Sequence, residues 1–521
     1  MIASDRLPEQ FNVATWFVDR NVDEGRGASP AFHCENRTLT YQDVFDLANR
    51  TGNALLELGI GMEDRVLILC LDAPEFLGAF WGAIKIGAVP VPANTLLRAQ
   101  DYEYFLADSR AKAAIVSAPL LAEAGAALQS SRWLQHVLVA GGAPGGFLSY
   151  EERVAKASAR LQAAATFRDE PAFWLYSSGS TGRPKAAVHL HHDMVVCAET
   201  FARQIVGYRP DDTVYSAAKL FFAYGLGNAG YFPMSVGARS VLYPGRPMPE
   251  TVFEILTTHR PTLFFGIPTL YASMLAVKDA EKRYDVSSLR LCFSAGEALP
   301  EELYTRWREK FGLEIVDCIG TTEILHCFLS NAPGHARPGS TGKAVPGYEA
   351  IIVDDDGRPV AQGEIGNLRV KGDSTMAYYW NKHDKTKETL FGPWIQTGDK
   401  YWQDADGYFW YAGRADDMLK VGGIWVSPVE VESTLLTHPA VLECCVVGRP
   451  DSAQLIKPEA HVVVKDGCEP SERLGQELID FCREKMAEYK RPRWIRFVGE
   501  LPKTATGKIQ RYKLRGQSGP R

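Results

Sequence analysis

The chain has 521 residues, too many for one ordinary core, so two or more domains are expected. Apolar residues make up 46% and charged residues 23%, the balance of a globular protein and not of a disordered one. A net charge of −6, spread without long single-sign runs, argues against a nucleic-acid partner. The most apolar stretch, 113–128, is broken by Ser117, Pro119 and Glu123, which argues against a membrane span. The amino terminus is polar and shows no secretory segment, and the ten cysteines form no C-x-x-C pair. Reduced core thiols in a cytoplasmic protein are the expectation.

Strand-like and helix-like segments alternate up to about residue 345. A strand at 66–71 precedes a helix over 74–86 and a strand at 88–92. Further strands are expected at 113–116, 137–139, 172–176, 213–217, 240–243, 262–265, 289–294 and 314–319, with helices between most of them. This alternation predicts an α/β fold of parallel sheets flanked by helices. From about 348 the rhythm changes. A hairpin over 349–360 should turn on Asp356-Gly357, and strands near 368–371 and 408–411 suggest a small β-rich portion. After Arg414 comes a compact α+β segment. It opens on Ser427-Pro428-Val429-Glu430, a capping box with proline at the first helical position. Strands at 441–447 and 460–464 and a helix over 471–488 follow, and 516–521 reads as a disordered tail.

The strand at 172–176 runs directly into Ser177-Ser178-Gly179-Ser180-Thr181-Gly182-Arg183-Pro184-Lys185. Glycine permits close backbone approach, hydroxyls and N–H groups can cradle phosphate oxygens, and Lys185 adds a positive charge. The spacing differs from that of the common nucleoside-triphosphatase loop, yet the loop suits a polyphosphate. Alone, it also fits a solvated turn. The cluster His189-Leu190-His191-His192 could suggest metal, but a helix start beside the loop is the preferred reading.

Four more motifs, and a terminal lysine, lie far apart. Ser294-Ala295-Gly296-Glu297-Ala298 ends a strand with small residues against which a flat ring can lie. Gly320-Thr321-Thr322-Glu323 puts hydroxyls and a carboxylate on one short turn, suited to phosphate and its magnesium ion. Gln396-Thr397-Gly398-Asp399 offers a carboxylate to a ribose diol. Residues 413–423 carry Arg414, Asp416 and the pair Gly422-Gly423 between the large and small portions, and Thr504-Ala505-Thr506-Gly507-Lys508 sets a lysine on a Gly/Thr loop. Each taken singly also fits a turn, a helix start or a charged linker.

In this order and at these separations, the motifs resemble the adenylate-forming superfamily: acyl- and aryl-CoA synthetases, peptide-synthetase adenylation domains and luciferases. The resemblance spans roughly 37–514. It implies a large N-terminal portion (1–415) of two helix-flanked sheets plus a small β-barrel, and a mobile α+β domain (416–521) beyond a hinge at Asp416. Carried over by position, Ser177–Lys185 is the phosphate loop and Gly296, Glu297 and Ala298 the adenine turn, with Asp317 also in the nucleotide set. Thr322 contacts the α-phosphate, Glu323 the magnesium and Asp399 the ribose. Arg414 is a further nucleotide ligand, Lys508 serves the adenylation step, and Gly422 and Gly423 face the pantetheine of coenzyme A. Two positions depart from the usual pattern. Ala186 stands where glycine often follows the loop lysine, and Ile319 stands where many members stack an aromatic on adenine.

The segment 219–228 (Lys-Leu-Phe-Phe-Ala-Tyr-Gly-Leu-Gly-Asn) together with 322–331 resembles the benzoate-CoA ligase group, which includes hydroxybenzoate and aminobenzoate ligases. Phe222, Ala223, Tyr224 and Gly225 then wall a thin slot, with Ile319 and Gly320 as its floor and His326 closing it; such a slot suits a planar ring better than a long acyl chain. The implied reaction is ATP-dependent ligation of a benzoate-type acid to coenzyme A through aryl-AMP, with Mg²⁺. Catalysis falls to Lys508, Thr322 and Glu323. The alternative is a stand-alone adenylation enzyme that loads a carrier protein. The expected partners are an aromatic acid, ATP and CoA, with a homodimer left open as the assembly.

Overall fold

The computed structural model describes residues 4–142, 145–177, 183–415, 417–421, 424–451, 455–503 and 509–515. The apolar runs between helices form two large sheets, and the architecture is α/β with a smaller C-terminal domain. In the larger sheet, Ile315–Gly320, Leu291–Ser294, Leu263–Gly266, Thr213–Ser216, Arg239–Leu242 and Pro30–Cys34 lie side by side and parallel. Antiparallel strands finish both edges, Cys327–Ser330 and Lys343–Ala344 at one and Arg37–Thr40 at the other. Because Leu291–Ser294 and Ile315–Gly320 are parallel neighbours, the loops leaving their carboxyl ends open at one edge, the usual ligand edge of an α/β sheet.

The second sheet is wholly parallel, in the order Val89–Pro92, Arg65–Leu69, Ala113–Ser117, His136–Ala140, Leu148–Ser149. Every residue of Ala113–Ser117 is buried, which is why that run reads as continuously apolar. Pro90 and Pro92 lack the N–H that a further neighbour would need, so Val89–Pro92 ends the sheet. Helix Pro74–Lys85 is buried along its whole length after Glu75, and its Phe80 ring meets Phe173 edge-on with centroids 5.6 Å apart. Burying one such ring stabilises by roughly 1.5–3 kcal/mol. This contact ties the sheets to the strand that leads into the phosphate loop.

That strand, Pro171–Ser177, does not run into a helix. It turns back as Lys185–Leu190, an antiparallel partner in which Ser177 stands opposite Lys185, and Tyr378–Tyr379 adds a third strand. The helix-start reading of 189–192 is therefore corrected: His189 and Leu190 finish a strand, and the helix begins at Asp193. Lys185-Ala-Ala-Val-His-Leu does not alternate: its four central residues are all buried, as in a strand covered on both faces.

The β-rich portion holds Glu349–Val353, Gly366–Lys371, Trp394–Gln403, Leu390–Phe391 and Phe409–Arg414 in one five-stranded sheet. The turn at Gly357 is present, with φ +83°, but the main partner of Glu349–Val353 is Gly366–Lys371 and not the residues just after the turn. Beyond Arg414, hairpin Leu419–Val421/Ile424–Val426 precedes helix Pro428–Leu436 and a sheet of Val441–Pro450, Ile456–Val464 and Trp494–Phe497, backed by helix Glu472–Lys485. Only half of the expected capping box forms. The Ser427 hydroxyl accepts from the Glu430 N–H at 3.2 Å, while the Glu430 carboxylate pairs with Lys490 at 2.7 Å. All ten cysteines are free thiols, and nine are buried. Among the described residues no helix is long and apolar enough to cross a membrane.

Candidate active site

Ser177 and Lys185 close the two ends of the phosphate loop, and both reach one carboxylate. The Ser177 hydroxyl donates to Glu323 Oε1 at 2.9 Å. The Lys185 ammonium donates to the Tyr379 hydroxyl at 3.2 Å, and that hydroxyl donates to the same Glu323 Oε1 at 2.6 Å. Burial lowers the Lys185 pKa from the ordinary lysine value, and the Glu323 charge partly offsets this. The residues between them, Ser178, Gly179, Ser180, Thr181 and Gly182, lie outside the described residues, as do Asp416, Gly422, Gly423 and Lys508.

The turn that carries Thr322 and Glu323 is a single 3₁₀ turn, Thr322–Ile324, held on its other side by histidine. On a strand, residues two apart share a face, so His189 sits on the Lys185 face. Its Nε2 lies 2.7 Å from the Thr322 carbonyl and its Nδ1 2.7 Å from Asp193 Oδ2. The Thr322 carbonyl can only accept, so Nε2 donates to it, and the ring and Asp193 are fully buried. The Met376 N–H donates to the Glu323 carbonyl at 2.8 Å. His191 instead accepts from the Val13 N–H, and His192 lies between the carbonyls of Arg168 and Asp373. His189 and His192 share Asp193, whose Oδ2 and Oδ1 lie 2.7 Å and 3.1 Å from them, while His191 faces the amino-terminal segment, and among the described residues no cluster of three or more His, Cys, Asp or Glu has metal-site geometry. Asp193 and Tyr379 carry no signal in the sequence, and His189 stands out there only within the 189–192 cluster, not for this role. The period-2 relation to Lys185 could have found His189. Tyr379 reaches the site only because a two-residue strand pairs with one almost 200 positions earlier.

Asp399 stands opposite Arg414 across two antiparallel strands, with Arg414 Nη1 at 3.0 Å from its Oδ1. Burial raises the Asp399 carboxyl pKa, and Arg414 opposes the rise. Gly296 has φ +90°, a left-handed conformation that turns the chain away just after Ser294. Ser294 pairs in register with Asp317, whose Oδ1 is buried with no partner among the described residues; burial pushes that carboxyl well above its usual range. Glu297 and Ala298 follow Gly296 in the same partly exposed loop.

Beside this turn, two otherwise buried segments keep a window of exposure. Leu220 and Phe221 are buried, as is everything from Gly225 to Met234, whereas Phe222, Ala223 and Tyr224 are half-exposed. Along 315–330, only Ile319, Gly320, Thr321, Thr322 and Glu323 are. His326 joins the two: its ring stacks on Tyr224 at 5.6 Å and meets Phe232 edge-on at 4.5 Å. A Cβ on Gly320 would stand 2.5 Å from the His326 carbonyl oxygen. Glycine at 320 is thus demanded by the close antiparallel strand at Cys327–Ser330, a reason beyond the thin floor expected from the slot. Leu325, fully buried at φ +69°, carries real backbone strain for a branched residue, and it turns the chain between Glu323 and His326. In this window the Tyr224 hydroxyl, His326 Nδ1 and Thr321 Oγ1 are covered yet have no hydrogen-bond partner among the described residues.

The AMP-binding enzyme family matches residues 18–380, and the C-terminal domain of AMP-binding enzymes matches 430–508. The chain belongs to the AMP-binding enzyme family. This AMP-binding enzyme is 49% identical over 512 residues to benzoate–CoA ligase of Thauera aromatica, covering 98% of this chain and 97% of that one. It is 46% identical over 510 residues to 4-hydroxybenzoate–CoA/benzoate–CoA ligase of Rhodopseudomonas palustris, covering 97% and 94%. Among solved structures, the anthranilate CoA ligase AuaEII in complex with anthranoyl-AMP matches with a TM-score of 0.95 at 45% identity, covering 99% of each chain.

Proposed function

We propose that this AMP-binding enzyme is an AMP-forming aryl-CoA ligase that converts a benzoate-type acid to its CoA thioester. The observation that carries the reading is the adjacency of two features. One turn, 321–325, joins the Ser177/Lys185 phosphate side to the half-exposed aromatic window at 222–224. An acid held in that window has its carboxylate beside the turn that faces the phosphates. The near-full-length likeness to benzoate and anthranilate ligases supports the same substrate class.

In the first half-reaction a carboxylate oxygen forms a bond to the α-phosphorus of ATP, and pyrophosphate leaves. Ser177–Lys185 hold the outer phosphates, Thr322 the α-phosphate, Asp399 the ribose, and Gly296, Glu297, Ala298 and Asp317 the adenine side. Arg414 orients Asp399 and the nucleotide. Glu323 fits a metal partner: Ser177 and Tyr379 both donate to Oε1, while Oε2 has no hydrogen bond among the described residues. Mg²⁺ bound there supplies charge neutralisation at the phosphates. Lys508 adds a cation at the developing charge. In the second half-reaction the CoA sulfur, having lost its proton, forms a bond to the acyl carbon, and AMP leaves. Movement of the C-terminal domain about Asp416 withdraws Lys508 and brings Gly422 and Gly423 to the pantetheine.

Pyrophosphate release across benzoate, 2-aminobenzoate, 4-hydroxybenzoate and octanoate, with and without CoA, tests the reading. The aryl acids should release pyrophosphate and, with CoA, yield thioester and AMP. Preference for octanoate overturns the aryl assignment. Aryl-AMP that forms but is never consumed by CoA overturns the CoA assignment in favour of a carrier-protein acceptor.

A further inference from the structure

Lys185 and Glu323 are the charged pair of the phosphate side, yet they do not touch. Their charges attract, since Glu323 is the group that most raises the Lys185 pKa. Between them sits one phenol. Tyr379 is 3% exposed and its backbone is fixed twice, by register pairing opposite Ala187 and by donation from its N–H to Thr386 Oγ1 at 3.0 Å. Its hydroxyl takes the ammonium hydrogen at 3.2 Å and gives its own to Glu323 Oε1 at 2.6 Å, while the Lys185 ammonium lies 4.4 Å from the ring centroid. Burial and the Glu323 charge both push the phenol pKa up, so it remains a donor to the carboxylate.

We propose that Tyr379 is a spacer that keeps Lys185 and Glu323 from closing into an ion pair, reserving the ammonium for phosphate and the free carboxylate oxygen for the metal. The inference rests on the reading that Glu323 holds Mg²⁺. A half-buried lysine beside a carboxylate, both held on rigid strands or turns, closes to a charge-assisted hydrogen bond when nothing intervenes. Each charge then neutralises the other, and both phosphate and metal must break the pair before they bind. With the phenol in place, Lys185 is held by a neutral oxygen and a ring face, both surrendered cheaply. Glu323 has both of its donors on Oε1, which leaves Oε2 for single-oxygen coordination, the mode Mg²⁺ prefers from carboxylates. A two-residue strand almost 200 positions from the loop in sequence thus keeps both charges available.

Tyr379→Phe removes the spacer oxygen and keeps the ring. Calorimetry with α,β-methylene-ATP in a Mg²⁺ titration should show binding weakened about tenfold, with the half-saturating Mg²⁺ concentration raised to match. AMP binding without metal should be unchanged, because AMP uses neither the outer phosphates nor the cation, and the thermal midpoint should hold or rise. Lys185→Gln in the Tyr379→Phe background should return the Mg²⁺ requirement toward that of Lys185→Gln alone. Equal loss of AMP and analogue binding, or a lowered thermal midpoint, would mean a merely structural role and overturn the proposal. So would an unchanged Mg²⁺ requirement in Tyr379→Phe when Glu323→Gln raises it. If Glu323→Gln itself leaves the Mg²⁺ requirement unchanged, the metal reading fails first, and the spacer proposal with it.

Discussion

The two halves of the site are built on opposite terms. On the nucleotide side, the turn bearing Thr322 and Glu323 is held by four hydrogen bonds from three separate segments: Ser177, Tyr379 and Met376 to Glu323, and His189 to Thr322. On the acid side, a few residues away, the Tyr224 hydroxyl, His326 Nδ1 and Thr321 Oγ1 are covered but have no partner among the described residues, and ring packing holds the Tyr224 and His326 side chains. On the proposed assignment, specificity for the two substrates has different sources. ATP would meet a frame whose geometry is already set by polar bonds. The acid would meet an apolar slot with a few polar atoms left to be matched, so its choice among ring substituents would depend on which of them satisfies those atoms.

Breaking the polar frame should have the largest effect. His189→Ala removes the ring that joins two buried groups, the Thr322 carbonyl and the Asp193 carboxylate. Urea unfolding should show a loss of about 2–4 kcal/mol, and aryl-AMP formation should slow by about 10²-fold as Thr322 and Glu323 lose their setting. His189→Gln, which keeps one donor, should recover part of both. If His189→Ala is stable and fast, the frame is not what sets the turn.

Next in size is overpacking of the slot. Ala223→Leu should cost roughly 1–3 kcal/mol in kcat/KM for benzoate while leaving KM for ATP within error. A matched rise in KM for ATP would show that the halves are not independent.

Much of this contrast is legible in the sequence, and some of it is not. Ser177, Lys185, Thr322, Glu323, Asp399 and Arg414 are each ambiguous singly and stand out because their motifs occur together, in one order and at family-like separations. The slot residues Phe222, Ala223 and Tyr224 stand out only in company with the 322–331 segment. What stays hidden depends on pairing at a distance. Tyr379 sits in Met376-Ala-Tyr-Tyr-Trp380, which reads as core, and its use follows from a register with Ala187 that no local pattern encodes. The hairpin of Lys185–Leu190 was masked by the loop before it, since a glycine-rich loop after a parallel-type strand ordinarily leads to a helix.

A smaller effect sharpens the acid side. Tyr224→Phe deletes an oxygen with no hydrogen-bond partner among the described residues, so stability should hold or rise slightly and benzoate turnover should change little. A hydroxy- or aminobenzoate that bonds to that oxygen should lose about tenfold in kcat/KM, measured side by side with benzoate. Equal loss for benzoate would mean that the hydroxyl serves the protein and not the substrate.

The smallest effect at neutral pH concerns Lys185. Because burial lowers its pKa from the ordinary value of 10.5, the ammonium deprotonates earlier as pH rises. The basic limb of kcat/KM for ATP should therefore fall below that value, since this profile reports the free enzyme. Lys185→Arg should move the limb upward. A limb that stays put in Lys185→Arg belongs to another group.

The most direct test of the central claim, that the acid is activated as aryl-AMP at this site, follows the oxygen. Benzoate labelled with ¹⁸O in both carboxylate positions, supplied with ATP, Mg²⁺ and CoA, should give benzoyl-CoA retaining one labelled oxygen and AMP carrying the other, bonded to its phosphorus. Unlabelled AMP, or label found in pyrophosphate or inorganic phosphate, would contradict the account.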